Sequence, residues 1–112
     1  MVVQIVKASI KRERRNLWLE VIQRNATQTR AEEGCQGYQV AEVLETPNSF
    51  VIVELWTDLD AVKNHFRAQF AELMAALGDV FAAPPEAFIY DVAATLTLEE
   101  VLAAAGITNK AS

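Results

Sequence analysis

The sequence predicts an α+β fold, with two helices packed on a four-stranded antiparallel sheet in the order β-α-β-β-α-β. Three observations carry this reading. Two alternating apolar segments flank the turn signal Thr46-Pro47-Asn48. A helical pattern precedes them and ends at Gly34, and a second follows them and ends near Gly78. A β-branched segment opens the chain and an aromatic one, Phe88 to Val92, comes after Pro84-Pro85.

Each element has its own local reason. Val2 to Ser9 is β-branched and apolar on both sides apart from Gln4, Lys7 and Ser9, so it reads as a strand covered on both faces. From about Glu13 to Ala31 the apolar spacing becomes helical, with Trp18, Val21, Ile22, Asn25 and Thr29 on one face. Gly34 stands where a glycine ends a helix. Gln36 to Glu45 alternates, with Tyr38 and Val40 on one side. After the turn, Ser49 to Thr57 forms the hairpin partner, apolar on both faces: Val51, Val53 and Leu55 against Phe50, Ile52 and Trp56.

Thr57-Asp58-Leu59-Asp60 resembles a capping box with Asp in place of Glu, opening a helix whose apolar stripe runs Leu59, Val62, Phe66, Phe70, Leu73 and Leu77. Thr97-Leu98-Glu99-Glu100 is a better capping box and starts a short helix to about Ala105, stopped by Gly106. Residues 1–93 therefore form one domain, and 94–112 a C-terminal helical extension. The extension is placed to clasp a partner or to cover a pocket mouth. Helices cover one sheet face; the other is also apolar and too large a patch to leave in water. A homodimer burying sheet against sheet is the expectation.

Composition narrows the function. The chain has 112 residues, enough for one modest core, and a net charge of −5, which argues against nucleic acid as a partner. Seven of the ten basic residues (Lys7, Lys11, Arg12, Arg14, Arg15, Arg24, Arg30) lie in the first thirty positions. They read as a solvated face or, more sharply, as a patch that steers anions. Cys35 is the only cysteine, so an intrachain disulfide is impossible, and no Cys/His spacing suggests zinc. No apolar stretch approaches a membrane span and no signal-peptide pattern opens the chain, which makes a cytoplasmic protein the expectation.

Glu33-Gly34-Cys35, Tyr38, the run Phe50-Val51-Ile52-Val53-Glu54-Leu55-Trp56, and a following helix with His65 and Phe70 together resemble the antibiotic biosynthesis monooxygenase superfamily of dimeric α/β barrels. The resemblance spans about residues 2 to 93. It implies a cofactor-independent monooxygenase that turns phenols or quinols into quinones with dioxygen. The superfamily also includes haem-degrading enzymes, which carry an Asn on the first strand and a Trp and a His on the second helix. Here Lys7 and His65 fall at the Asn and Trp positions and no later histidine follows, so haem degradation is not expected.

The candidate site residues follow. His65 is the only side chain that titrates near neutrality unperturbed, and the resemblance sets it at the edge of the pocket. A helical wheel puts it about 100° from the centre of the apolar stripe, a boundary position suited to a proton shuttle. Asn25 and Thr29 are polar on an apolar helix face, so Asn25 needs a partner: the fold itself, a water or a substrate oxygen. Trp18, Tyr38, Trp56, Phe66 and Phe70 are candidates to line an aromatic pocket. Glu54 shares a strand face with Phe50, Ile52 and Trp56, and Lys7 on the first strand is its expected cross-strand mate. Cys35 reads as a small buried residue. Two other readings stay open at this point. One is an isomerase or degrader of a small, phosphorylated signalling metabolite, steered by the basic cluster. The other is a binding module without catalysis.

Overall fold

The computed structural model describes residues 1–108. Strand β1 (Val2–Ser9) is followed by a single 3-10 turn and helix α1 (Arg15–Arg30). Strands β2 (Cys35–Glu42) and β3 (Ser49–Trp56), helix α2 (Leu59–Leu77), strand β4 (Glu86–Asp91) and helix α3 (Leu98–Ala104) complete it. The sheet order is β2-β3-β1-β4, and all three pairings are antiparallel. This is the ferredoxin-like arrangement the sequence predicts.

Local chemistry explains most boundaries. Gly34 has φ +86°, and a Cβ there would lie 2.6 Å from the Ala61 side chain and 2.8 Å from Thr57 Oγ1. Both backbone conformation and space therefore demand glycine. The first strand of the hairpin stops at Glu42, earlier than the alternation suggests, because Thr46 N donates to Val43 O and Ser49 N to Thr46 O. Those bonds turn the chain just after Val43, whose N still donates across the hairpin to Ser49 O. Helix α2 is capped by Asp58, whose side chain accepts from Ala61 N at 2.9 Å. The cap is thus Asp58, one residue on from the box read in the sequence. Thr97 and Glu100 do form a full capping box at α3.

The core lies between the helices and one sheet face. Trp18, Val21, Ile22 and Ala26 from α1 pack on Tyr38, Phe50 and Ile52. A second, smaller cluster joins Val2, Trp56, Ala61 and Val62. The chain after α2 is tied to the end of β1: Lys11 N donates to Val80 O and Ala82 N to Ser9 O, both at 2.8 Å.

Two sequence expectations are corrected here. Glu54 does not pair with Lys7. The β1–β3 register sets Glu54 opposite Gln4 and Lys7 opposite Val51. Lys7 points to the outer face, with Nζ 5.6 Å from the Phe88 ring centroid. His65 is not a boundary residue either; it is 7% exposed, whereas Leu59 and Phe70 of the expected stripe are 50% and 52% exposed. The inward row of α2 starts at Ala61 and runs through His65, because polar groups on α1 and just beyond it meet that row.

The outer sheet face of β1 is uncovered in the single chain. Across three strands, Val53, Ile5 and Phe88 form one apolar row and Leu55, Val3 and Tyr90 a second. No residue of β4 or α3 is buried.

Candidate active site

Helix α2 does not settle fully on β1 and β4. The gap is a cavity of about 250 Å³ between the helical layer and the sheet. Gln4, Val6 and Ala8 of β1 and Ile52 and Glu54 of β3 form its floor, and Trp18, Ile22 and Asn25 of α1 one wall. His65, Phe66, Gln69 and Phe70 begin the opposite wall, which Leu73, Met74 and Leu77 continue. Phe70, Pro85 and Ala87 are exposed lining residues, so the mouth opens on the β4 side.

Polar groups are concentrated at one end. Tyr38 Oη donates to Asn25 Oδ1 at 3.0 Å, and Asn25 Nδ2 donates to Gln69 Oε1 at 2.5 Å. Gln69 Nε2 donates to the Glu32 carboxylate and lies 3.4 Å from Thr29 Oγ1. His65 Nδ1 stands 3.0 and 3.2 Å from the two Glu32 oxygens. An ionised carboxylate only accepts, so Nδ1 carries the hydrogen and Nε2 faces the other way. It faces Glu54, whose Oε1 is 3.6 Å distant. Glu54 accepts from Gln4 Nε2 at 3.3 Å and from Trp56 Nε1 at 3.1 Å.

These surroundings move several pKa values. Burial raises that of Glu54, and Glu32 adds to the rise, against the lowering influence of His65 and the Trp56 hydrogen bond. Burial also pushes the Tyr38 phenol far up, with the Glu54 charge adding to it, so Tyr38 stays protonated. Cys35 is raised, chiefly by burial, which suits a small inert residue and not a nucleophile.

Among the described residues, two buried side-chain polar atoms have no hydrogen-bond partner: Gln4 Oε1 and Trp18 Nε1. Both residues line the cavity. Buried polar groups are nearly always satisfied, so an unmatched acceptor and an unmatched donor on residues of one cavity lining are unusual.

Of the residues singled out in the sequence, Trp18, Asn25, Tyr38, His65, Phe66 and Phe70 line this one cavity. Trp56 and Thr29 are fully buried and do not line it. Trp56 orients Glu54, and Thr29 lies beside Gln69. Sequence reasoning missed Gln4, Glu32 and Gln69. Gln4 interrupts an apolar strand, which was the available signal; Glu32 and Gln69 sit in ordinary polar contexts and gave none. Among the described residues, no group of three or more His, Cys, Asp or Glu is placed to hold a metal ion.

Three of the seven basic residues of the first thirty positions are paired with carboxylates. Lys11 and Arg14 pair with Asp79 at 2.9 and 2.7 Å, and Arg15 grips Glu42 at 2.5 and 2.7 Å. No lysine or arginine lines the cavity.

Comparison with known proteins agrees with this architecture. A candidate antibiotic biosynthesis monooxygenase from Deinococcus radiodurans superposes with TM-score 0.81 at 26% identity, covering 88% of this chain and 98% of that one. A conserved protein from Methanosarcina mazei Go1 gives 0.75 at 27% identity, over 80% and 91%. An uncharacterized Synechocystis protein is 31% identical over 90 residues, and the match spans 80% of this chain but only 61% of that relative. The family model for antibiotic biosynthesis monooxygenase matches residues 1–77, a span that holds both helices of the cavity wall and every polar group described around it. On the fold, the cavity and that match together, the chain belongs to the antibiotic biosynthesis monooxygenase family.

Proposed function

We propose that the protein is a cofactor-independent monooxygenase that oxidises a small phenol or quinol to a quinone with dioxygen. The observation that carries this reading is a mostly apolar cavity with three titratable groups in its lining, Tyr38, Glu54 and His65, and two unmatched hydrogen-bonding atoms on residues that line it. The reaction asks little more of a protein. A phenol loses its proton, and the anion passes one electron to dioxygen. The radical pair then joins as a peroxide, which expels water and leaves the quinone; phenol and dioxygen become quinone and water. The site supplies proton transfer, ring orientation and a dry environment.

Size limits the substrate. An apolar cavity of about 150 Å³ holds benzene, so about 250 Å³ accommodates one substituted ring or two fused rings. Trp18, Phe66 and Phe70 flank that ring, and the free Nδ2 hydrogen of Asn25 is the contact offered to a substrate oxygen. His65 shuttles the proton. The absence of lysine and arginine from the lining disfavours a phosphorylated substrate.

A second copy of the chain covers the outer sheet face. Val53, Phe88 and Tyr90 on that face are 36%, 38% and 52% exposed. The two apolar rows they belong to repeat along adjacent strands, as a sheet-on-sheet contact requires.

The test is oxygen uptake by purified, metal-free protein with one- and two-ring hydroquinones, compared with anaerobic incubation. His65→Ala is expected to lower the rate about 100-fold, the scale of a lost acid–base group. An unchanged rate would remove His65 from the mechanism.

A further inference from the structure

We propose that Glu54 takes the proton from the hydroxyl of the bound ligand, and that His65 and Glu32 pass it to solvent. The proposal rests on the cavity being a ligand site, and it moves the first proton transfer from the histidine to a carboxylate.

Three groups stand in line from the cavity floor to the surface. The side chains of Glu54, His65 and Glu32 are 4%, 9% and 21% exposed. Glu54 Oε1 lies 3.6 Å from His65 Nε2, and His65 Nδ1 lies 3.0 Å from Glu32. The first gap is longer than a hydrogen bond, as catalytic contacts often are before a ligand closes them. The second is already made.

Glu54 is held for this task and keeps room for it. Trp56 and Gln4 each donate one hydrogen bond to it, whereas a carboxylate has about four acceptor positions. Gln4 must turn its amide NH2 toward the ionised Glu54, which turns its carbonyl oxygen away. That oxygen is the unmatched Gln4 Oε1. The carboxylate of Glu54 therefore keeps acceptor positions open for a ligand hydroxyl. Trp18 Nε1 on α1 is an unmatched donor on another residue of the cavity wall.

The steps balance. The ligand O–H bond breaks, its electron pair stays on the ligand oxygen, and an O–H bond forms on Glu54. That proton moves to His65 Nε2 while the Nδ1 hydrogen moves to Glu32 and then to water. Glu54 returns to the carboxylate. Burial and the charge on Glu32 make Glu54 a stronger base than a solvated glutamate. His65 and Trp56 oppose that shift, and Tyr38 on the neighbouring strand stays protonated.

The test uses 4-nitrophenol, whose anion absorbs separately from its neutral form, at a pH well below the free phenol's own pKa, where little of it is ionised in buffer. Wild-type protein is expected to bind it and raise the anion band at least tenfold above that in buffer. Glu54→Gln should bind it without the band, and Glu54→Asp, which keeps the acid, should restore part of it. His65→Gln and Glu32→Gln should retain the band but lose oxygen uptake with a hydroquinone. A full anion band in Glu54→Gln, or no binding by wild type, overturns the proposal. An anion band that depends on Glu54, without any oxygen uptake, sustains the proton assignment and rejects the oxidation itself.

Discussion

At the scale of single residues, Glu54 carries the largest conflict between folding and function. Its pKa is raised in the folded chain, so its contribution to stability is complete below the pKa of an unfolded glutamate, about 4.3, and is lost as pH rises through the folded value. Burial sets that window, with His65 on α2 and the Trp56 hydrogen bond opposing it and Glu32 after α1 adding to it. Glu54→Gln should therefore gain on wild type in thermal melts as pH is stepped from 4 to 8. A gap that stays constant across the series would show that Glu54 carries no such penalty. Glu42 behaves in the opposite sense. Its hydrogen bonds with Arg15 pull it down to about 2, so its contribution is complete above the pKa of an unfolded glutamate and is lost as pH falls from there through the folded value. Gly34→Ala should cost at least about 1 kcal/mol in denaturant titrations, because it adds a side chain at positive φ and against Ala61.

At the scale of elements, helix α3 is the least self-sufficient piece. It has seven residues and a full capping box but buries none of them. Helices this short are marginal in water alone, so the cap fits a helix that docks on something. If a second copy covers the outer face, removing residues 93–112 should weaken the dimer in sedimentation equilibrium while the remaining chain keeps its helical and sheet circular dichroism. A truncated chain that loses cooperative unfolding would instead make the arm part of the core. Strand and helix order was legible in the sequence because period and stop signals agree over each segment, as at Gly34 and Gly78. The rotation of α2 was not. Its apolar stripe suggested Leu59 and Phe70 as inward positions, but contacts with Glu32 and Asn25 turn His65 and Gln69 inward. Those partners lie more than thirty positions away in sequence, and helical periodicity holds no information about them. Likewise, Glu54 was recognisable as a buried carboxylate, but its mate depended on a register shift of three residues along β1, from Lys7 to Gln4.

At the scale of the whole molecule, the described fold is longer than its residue number suggests. The radius of gyration is 16.8 Å, against about 13 Å for a compact chain of this length, and the extents are 50 × 35 × 21 Å. Strand β4 and helix α3 lack buried residues, and this is the shape of a body with an arm. The body holds a cavity on one sheet face and an apolar surface on the other. The sheet thus has a cavity side and an exposed apolar side, divided by the alternation of β1 and β3. Only the first depends on the polar network from Glu54 to Glu32. The central claim is that this cavity oxidises a small hydroxylated ring without a cofactor. Its most direct test is an oxygen-electrode trace on metal-free protein given a one-ring hydroquinone. Uptake matched to quinone formed, and lost in Glu54→Gln, is the expected result; a rate no faster than that of the hydroquinone alone would overturn the proposed oxidation.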